Sequence, residues 1–264
     1  MLEIKGISKT FNPGTINEKK ALDNVSLTLA DGDFVTVIGG NGAGKSTLLN
    51  ALAGVWPVDS GSIHANGIDL THLPEHKRAK YIGRVFQDPM MGTAADMWIE
   101  ENLALSMRRG MRRTLRQGIN NEERALFTEK LADLGLGLEY RMTTKVGLLS
   151  GGQRQALTLL MAVMKKPYLL LLDEHTAALD PKTAAKVLEA TDKLVRHGRL
   201  TTLMITHNMK DAIAHGNRLI MLHEGRVILD IKGEEKKKLS VEDLLHQFER
   251  VSGERFTSDK ALLA

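Results

Sequence analysis

The feature that most constrains this chain is a glycine-rich loop between a predicted strand and a predicted helix. The apolar run Phe34–Ile38 precedes the loop and the helix-like run 48–53 follows it. The residues between them are Gly39, Gly40, Asn41, Gly42, Ala43, Gly44, Lys45, Ser46 and Thr47, in the pattern G-x-x-x-x-G-K-[ST]. Glycines allow the backbone to curl with several N–H groups pointing inward, and a helix presents its positive end to the same place. The pattern therefore predicts a site for a chain of phosphates.

Two side chains of this loop add chemistry to the backbone cradle. Lys45 can reach the β- and γ-phosphates of a nucleotide, and the hydroxyl of Ser46 can bind Mg²⁺. An ordinary glycine-rich turn is the alternative, but the strand before the loop and the helix after it favour nucleotide binding. The motif predicts a P-loop protein that binds the phosphates of a nucleotide. It does not indicate which class of P-loop protein this is.

Composition and charge narrow the class of protein. The 264 residues suffice for one large or two small domains. There are no cysteines, which excludes disulfides and thiolate metal sites. A net charge of +4 does not indicate nucleic-acid binding, and no run approaches the ~18 apolar residues of a membrane helix. We expect a cytoplasmic protein with no nucleic-acid partner, whose membrane component is a separate chain.

The hydrophobic pattern predicts an α/β fold with an insertion. Short strands fill the first 33 residues, and Asp31-Gly32 predicts a hairpin turn that leads into the P-loop strand. From about 90 to 150 the strand pattern gives way to predicted helices over 100–116 and 121–134. After residue 153 strands and helices alternate again, with Asp180 as the N-cap of a helix that begins at Pro181. The hairpin predicted over 218–231 turns at Glu224-Gly225.

Two further segments carry candidate chemistry. The apolar strand before Asp173 and Glu174 ends at the same sheet edge as the P-loop strand if the two are parallel. Asp173 is then placed to bind the water shell of Mg²⁺, and Glu174 to polarise an attacking water. Ser150 is a predicted N-cap before Gly151-Gly152, so a second helix N-terminus is suited to a phosphate. Solvated carboxylates and a common Ser-Gly-Gly turn are the alternative interpretations.

The order of the motifs resembles that of the ABC-transporter ATPase family over about residues 2–232. LSGGQ at 149–153 lies between the P-loop and the LLLLDE strand, as in the signature of that family. Gln87 matches the Q-loop, 178–180 match the D-loop, and His207 matches the switch histidine. Phe11 lies where the family carries an aromatic that stacks on adenine. The combination is highly specific.

The resemblance implies a role for each motif residue. Glu174 is implied as the general base, His207 as the group that holds the γ-phosphate and water in line, and Gln87 as a contact of Mg²⁺ or water. A second copy of the chain is implied to close over the nucleotide in a head-to-tail dimer. The residues that work across that interface are Ser150, Gly151, Gly152, Gln153 and Asp180. This agrees with the presence of two phosphate-binding helix ends but only one P-loop.

The implied fold is a P-loop NTPase core with a mostly parallel sheet, an N-terminal antiparallel β subdomain and an inserted α-helical subdomain. Residues 1–232 are predicted to form the ATPase domain, and 233–264 a short C-terminal helical extension. The resemblance implies an ATP-hydrolysing subunit at the cytoplasmic face of the membrane, with two permease subunits and an extracytoplasmic binding protein. The segment 92–105 resembles a branch of bacterial importer ATPases that work with a lipoprotein binding component and a permease. The resemblance implies aromatic amino acids or other small organic solutes as the transported class.

Three alternatives stay open at this point. One is an exporter or lipoprotein-release ATPase, and another is a soluble ABC ATPase that acts on nucleic acid or ribosomes, although the chain has neither a long coiled coil nor a second cassette. The third is an ATP-binding regulator without turnover, which Glu174 and His207 disfavour. Five arginines on the predicted helix 100–116 form a basic stripe, which indicates either an acidic membrane partner or a solvated face. They are Arg108, Arg109, Arg112, Arg113 and Arg116.

Overall fold

The computed structural model describes residues 1–111 and 118–252, and its strands form two sheets. The strands are β1 (Leu2–Phe11), β2 (Lys19–Leu29), β3 (Phe34–Ile38), β4 (Ser60–Ala65), β5 (Ile68–Asp69), β6 (Ile82–Val85), β7 (Leu169–Asp173), β8 (Thr202–Ile205), β9 (Arg218–His223) and β10 (Arg226–Lys232). The smaller sheet is antiparallel with the order β2-β1-β4-β5. The larger has the order β10-β9-β3-β8-β7-β6 and is parallel except for β10. The predicted fold class is confirmed.

The helices cover the larger sheet and form the insertion between β6 and β7. They are α1 (Lys45–Ala53), α2 (Glu75–Arg78), α3 (Ile99–Met107), α4 (Asn121–Ala132), α5 (Gly151–Val163), α6 (Pro181–Gly198), α7 (Met209–Ala214), α8 (Glu234–Lys237) and α9 (Val241–Ser252). Short 3-10 turns lie at Pro89–Gly92, Leu138–Tyr140 and Val146–Leu148. Within the described ranges, no helix has the length and apolarity that crossing a bilayer requires.

Local capping explains where several helices begin. The Asp180 carboxylate accepts from Thr183 N at 3.1 Å, and Pro181 occupies the first helical position of α6, as predicted. Ser150 caps α5 by accepting from Gln153 N, while the Gln153 side chain accepts from Ser150 N. Because these bonds join residues three apart, the sequence alone is sufficient to specify the starts of both helices.

The core lies on both faces of the larger sheet, and its layers bring the strand ends together. Alternate residues of β3 face different clusters: Val35 and Val37 pack with α1 and the smaller sheet, whereas Phe34 packs toward α5 and α6. The strands β3, β7 and β8 are parallel neighbours, so their carboxyl ends share one edge. The residues that follow these three strands are therefore placed together, as predicted for the P-loop and Glu174.

The predicted hairpin at Asp31-Gly32 is wrong. The chain does turn tightly there, with Asp33 N donating to Ala30 O at 3.1 Å. However, β2 belongs to the smaller sheet and β3 to the larger, so the turn joins two sheets. Turn residues specify a local reversal of the backbone, whereas the pairing of the flanking strands depends on which partners the rest of the fold supplies.

The predicted helix over 100–116 is also wrong in its length. The helix α3 ends at Met107, and Gly110 adopts a left-handed φ of +73°. The two described arginines of the predicted stripe are engaged by the protein: Arg108 contacts both carboxylate oxygens of Glu123 at 2.9 and 3.1 Å, and Arg109 donates to Ala162 O at 3.2 Å. Arg112, Arg113 and Arg116 lie outside the described residues.

Candidate nucleotide-binding site

A cleft opens where the carboxyl ends of β3, β7 and β8 meet the start of α1. The residues that line it are Phe11, Lys19, Ala21, Asn41, Gly42, Ala43, Gly44, Lys45, Ser46, Thr47, Glu174 and His207. Ten of these residues were predicted from the sequence: Phe11, the loop residues from Asn41 to Thr47, Glu174 and His207. Lys19 and Ala21 are new to the site. No glycine or lysine pattern identifies them, because strand β2 brings them to the cleft from outside the motif.

Lys45 is held inside the glycine loop. Its ammonium donates to Gly39 O at 2.6 Å and to Gly40 O at 3.0 Å, and the residue is almost fully buried. Burial lowers the pKa of Lys45, and the charge of Glu174 opposes that shift. The loop therefore holds a cation at its centre, next to the backbone N–H groups at the start of α1.

The glycines of the loop permit a close approach of neighbouring strands. Gly44 has a φ of +101°, and a Cβ there would lie 2.5 Å from Ala21 O of β2. At Gly39 a Cβ would lie 2.2 Å from Leu222 O of β9. The turn after β9 adds a further contact, since Gly225 N donates to Ala43 O at 3.0 Å. Three segments distant in sequence thus fix the conformation of the loop.

Glu174 and His207 form a contact pair on the opposite wall of the cleft. The distance from His207 Nε2 to Glu174 Oε1 is 2.5 Å. Glu174 has a left-handed φ of +45° directly after β7, a conformation that costs a non-glycine residue about 1 kcal/mol or more. Its backbone N donates to Ile205 O at 3.1 Å, which ties the corner to β8. The fold therefore holds a carboxylate and an imidazole against the phosphate-binding loop.

Asp173 precedes Glu174 but does not line the cleft. Arg84 of β6 donates to Asp173 Oδ2 at 3.2 Å, and its guanidinium stacks over Phe86 at 4.5 Å from the ring centroid. Burial raises the pKa of Asp173, while the hydrogen bond from Arg84 lowers it. Arg84 is not predicted from the sequence, since nothing in the pattern of β6 shows that its side chain reaches the neighbouring strand end.

The remaining predicted residues lie away from the cleft. Ser150, Gly151, Gln153 and Asp180 surround the starts of α5 and α6 and are mostly exposed, whereas Gly152 is buried against Thr183 of α6. Gln87 is exposed after the end of β6. One chain therefore brings together the P-loop, Phe11, Glu174 and His207, but it does not bring the 149–153 motif to the same cleft.

The ring of Phe11 lies at the rim of the cleft, packed edge-on against Trp56 with the centroids 4.8 Å apart. An aromatic ring fixed by a second ring provides a flat apolar surface for a base.

His175 follows Glu174 in the chain but lies outside the cleft. It is buried and shares a hydrogen bond of 3.0 Å with Thr191 of α6. Burial lowers the pKa of His175 to about 4, so it is a neutral structural side chain.

A glycine loop around a buried lysine, with a carboxylate and an imidazole opposite, defines a P-loop nucleotide hydrolase. The family model described as ABC transporter matches residues 22–177. The tyrosine transport ATP-binding protein of Clostridioides difficile (strain R20291) is 47% identical over 254 residues, which cover 94% of this chain and 99% of that protein. The methionine import ATP-binding protein of Bartonella henselae (strain ATCC 49882) is 35% identical, with 86% of this chain and 64% of that protein covered.

Solved structures agree with the sequence relatives. An ATP-binding cassette solved as a dimer in a post-hydrolysis state with ADP and Pi superposes with a TM-score of 0.74 at 30% identity, covering 88% of this chain and 98% of that one. The chain therefore belongs to the ABC transporter family, as the order of its motifs predicts. It is an ATP-binding subunit of an ABC transporter and an ATPase.

Proposed function

We propose that two copies of this chain bind two ATP molecules between them in a head-to-tail dimer, and that its closure drives transport through separate membrane subunits. The P-loop of one copy holds the phosphates, while Ser150, Gly151, Gly152 and Gln153 of the other copy close over the γ-phosphate. Asp180 works across the same interface. The separation of the 149–153 motif from the cleft within one chain supports this arrangement, because a second chain is needed to complete each site.

The contact of Glu174 with His207, opposite Lys45, is the observation that supports the proposed hydrolysis of ATP. In this proposal the Glu174 carboxylate accepts a proton from the water that attacks the γ-phosphorus. His207 orients the carboxylate through its 2.5 Å contact and binds the γ-phosphate. Lys45 neutralises the β- and γ-phosphates, and Gln87 joins the site from the end of β6 when the insertion moves. Phe11 supplies the surface on which adenine stacks.

The donor set suits Mg²⁺ bound together with ATP. Mg²⁺ typically keeps several waters and takes one or two protein oxygens plus phosphate oxygens, so a complete protein cage is unnecessary. Among the described residues, no three or more His, Cys, Asp or Glu side chains form a cluster that could bind a metal without a nucleotide. Ser46 lines the cleft and would hold the ion there, whereas Asp173, now paired with Arg84, and Gln87, now exposed outside the cleft, would have to move to reach it. The bound ion would neutralise charge on the phosphates during transfer.

The transport part concerns import of a small solute, with an amino acid as the first candidate. The names of the tyrosine transport and methionine import relatives support this choice. In the complete system, two permease subunits hold the dimer at the cytoplasmic face of the membrane and an extracytoplasmic binding protein delivers the solute. Residues 1–232 form the ATPase unit in this proposal, with the insertion at about 90–150, and 233–264 form a C-terminal extension.

The variant Glu174→Gln tests the hydrolytic part. Loss of the general base should lower kcat for ATP by a factor of about 10² to 10⁴, because the amide cannot accept the proton of water. The affinity for ATP should stay within about threefold of the parent, since the phosphates bind to the loop on the opposite wall. Steady-state hydrolysis and ATP titration measure the two quantities. Hydrolysis at the parental rate would refute the assignment of the base.

Uptake into vesicles tests the transport part. The chain is co-purified with the membrane subunits that it binds, reconstituted in proteoliposomes with the binding protein, and assayed with radiolabelled tyrosine and other amino acids. We expect ATP-dependent uptake by the parent and none by the Glu174→Gln variant. The transporter proposal would be contradicted if no membrane subunits co-purified, no uptake occurred, and nucleic acid stimulated the hydrolysis of ATP.

A further inference from the structure

The cleft contains a second lysine, which lies outside every motif of the sequence. Lys19 is the first residue of β2, and it lines the cleft together with Phe11 and the glycine loop. A Cβ placed on Gly42 would lie 3.1 Å from Lys19 Nζ, so the ammonium extends over the open side of the loop. Lys45 lies on the inner side, bonded to Gly39 O and Gly40 O. The two lysines thus approach the loop from different directions.

The packing of β2 accounts for the position of Lys19. The carbonyl of Ala21 approaches Gly44 so closely that only glycine fits there, which fixes β2 against the loop. Side chains two residues apart on a strand share a face, so Lys19 and Ala21 both face the cleft. Lys19 also pairs across the strands with Phe11. Its ammonium therefore lies between the aromatic ring at the rim and the phosphate-binding backbone.

The charge around Lys19 differs from that around its neighbours. Lys9 pairs with Asp59 at 2.8 Å, and Lys20 pairs with Asp23. The ammonium of Lys19 has no ion pair or hydrogen bond with any residue in the described parts of the chain. A cation without a counter-ion, beside a loop whose N–H groups bind anions, attracts the negative charge of a polyphosphate.

We propose that Lys19 is a second phosphate-binding cation of this site, which contacts the nucleotide from the open side of the cleft while Lys45 contacts it from inside. The ligand class is a nucleoside di- or triphosphate, and the proposal rests on the ATP site of the proposed function. Because Lys19 is exposed, the attraction is screened by salt and is smaller than that of the buried Lys45. Lys19 contributes to binding of the phosphates and takes no part in proton transfer.

Nucleotide titration of the full chain tests this proposal with a matched control. Lys19→Met should weaken ATP and ADP binding by about fivefold at low salt, since an exposed charge pair contributes a modest free energy. AMP binding should change less, and the difference between variant and parent should shrink at high salt. Lys20→Met removes a neighbouring lysine that already has a partner, so it should bind like the parent. Lys19→Arg should restore most of the ATP affinity.

Isothermal titration calorimetry in EDTA measures these affinities without turnover. The proposal is overturned if Lys19→Met binds ATP like the parent at low salt, or if its loss is the same for AMP and ATP at all salt concentrations. An equal loss in Lys20→Met would also overturn it, because the effect would then come from general charge. None of these outcomes affects the proposed function, which the hydrolysis of ATP by the parent and its loss in Glu174→Gln test separately.

Discussion

The two helices that begin with glycine-rich turns, α1 and α5, present their N-termini very differently. The N-cap of α1 is Gly44 in a left-handed conformation, with no side-chain cap, and the first turn of the helix lines the cleft around Lys45. The N-terminus of α5 is closed by its own capping box, in which Ser150 and Gln153 exchange hydrogen bonds of 3.3 Å. A helix end without a cap leaves its N–H groups for a ligand, whereas a capped end satisfies part of them internally.

This difference separates the two halves of the proposed ATP site. The α1 end has a buried cation, a stacking ring and a carboxylate–imidazole pair within one cleft, so it can bind a nucleotide in a single chain. Within the described residues the α5 end has none of these around it, and under the proposed function it acts on the nucleotide of a second copy. Its capping bonds are long, so they can be exchanged at low cost for contacts with a phosphate.

The largest effect should follow from adding a methyl group at the α1 end. In Gly44→Ala the new Cβ would lie 2.5 Å from Ala21 O at a φ of +101°, so the loop must move. We expect ATP affinity to fall by about a hundredfold, equivalent to about 3 kcal/mol. In Gly40→Ala the Cβ meets nothing within 4 Å, so the variant is a matched control that should bind within about threefold of the parent.

ATP titration measures the affinity of the two glycine variants, and thermal unfolding shows whether each variant is still folded. Normal binding by Gly44→Ala would show that the loop does not need its close contact with β2. Equal losses in both variants would show that any side chain in this loop blocks the nucleotide, and the contrast between the two positions would be lost.

A smaller effect is expected where α5 packs on α6. A Cβ at Gly152 would lie 2.1 Å from Thr183 Cγ2, so Gly152→Ala should lower the free energy of unfolding by about 1 to 3 kcal/mol. Thr183→Ser removes that methyl group and keeps the backbone N–H that caps with Asp180, so the double variant should recover most of the stability. Urea unfolding measures both. If the second substitution gives no recovery, the contact with Thr183 is not the cause.

The smallest effect concerns the cap of α5. Ser150→Ala removes the side-chain acceptor for Gln153 N and should lower the free energy of unfolding by about 1 kcal/mol, with a fall in Tm of about 2 to 4 °C. Ser150→Thr keeps the acceptor and serves as the control. ATP binding by the monomer should not change, because α5 does not line the cleft. A loss of monomer affinity in Ser150→Ala would contradict the separation of the two ends.

Residues near each other in the chain were predicted well. The strand before the P-loop, the caps at Ser150 and Asp180, and the hairpin at Glu224-Gly225 all lie where the pattern placed them. The failures lie at longer range. The turn at Asp31-Gly32 formed but joined two sheets, and the helix predicted to 116 stopped at Met107. Side-chain periodicity cannot reveal which sheet a strand joins, or where a glycine adopts a positive φ.

The sequence by itself determined the position of the phosphate loop between β3 and α1 and the capping of α5 and α6, because the glycine pattern and hydrogen bonds over three residues are local. Tertiary structure alone decided that β2 lies against the loop and delivers Lys19, and that Arg84 reaches Asp173. It also placed Glu174 2.5 Å from His207, 33 residues further along the chain. These contacts depend on sheet order and register, which are set by burial of the whole core and not by any one segment.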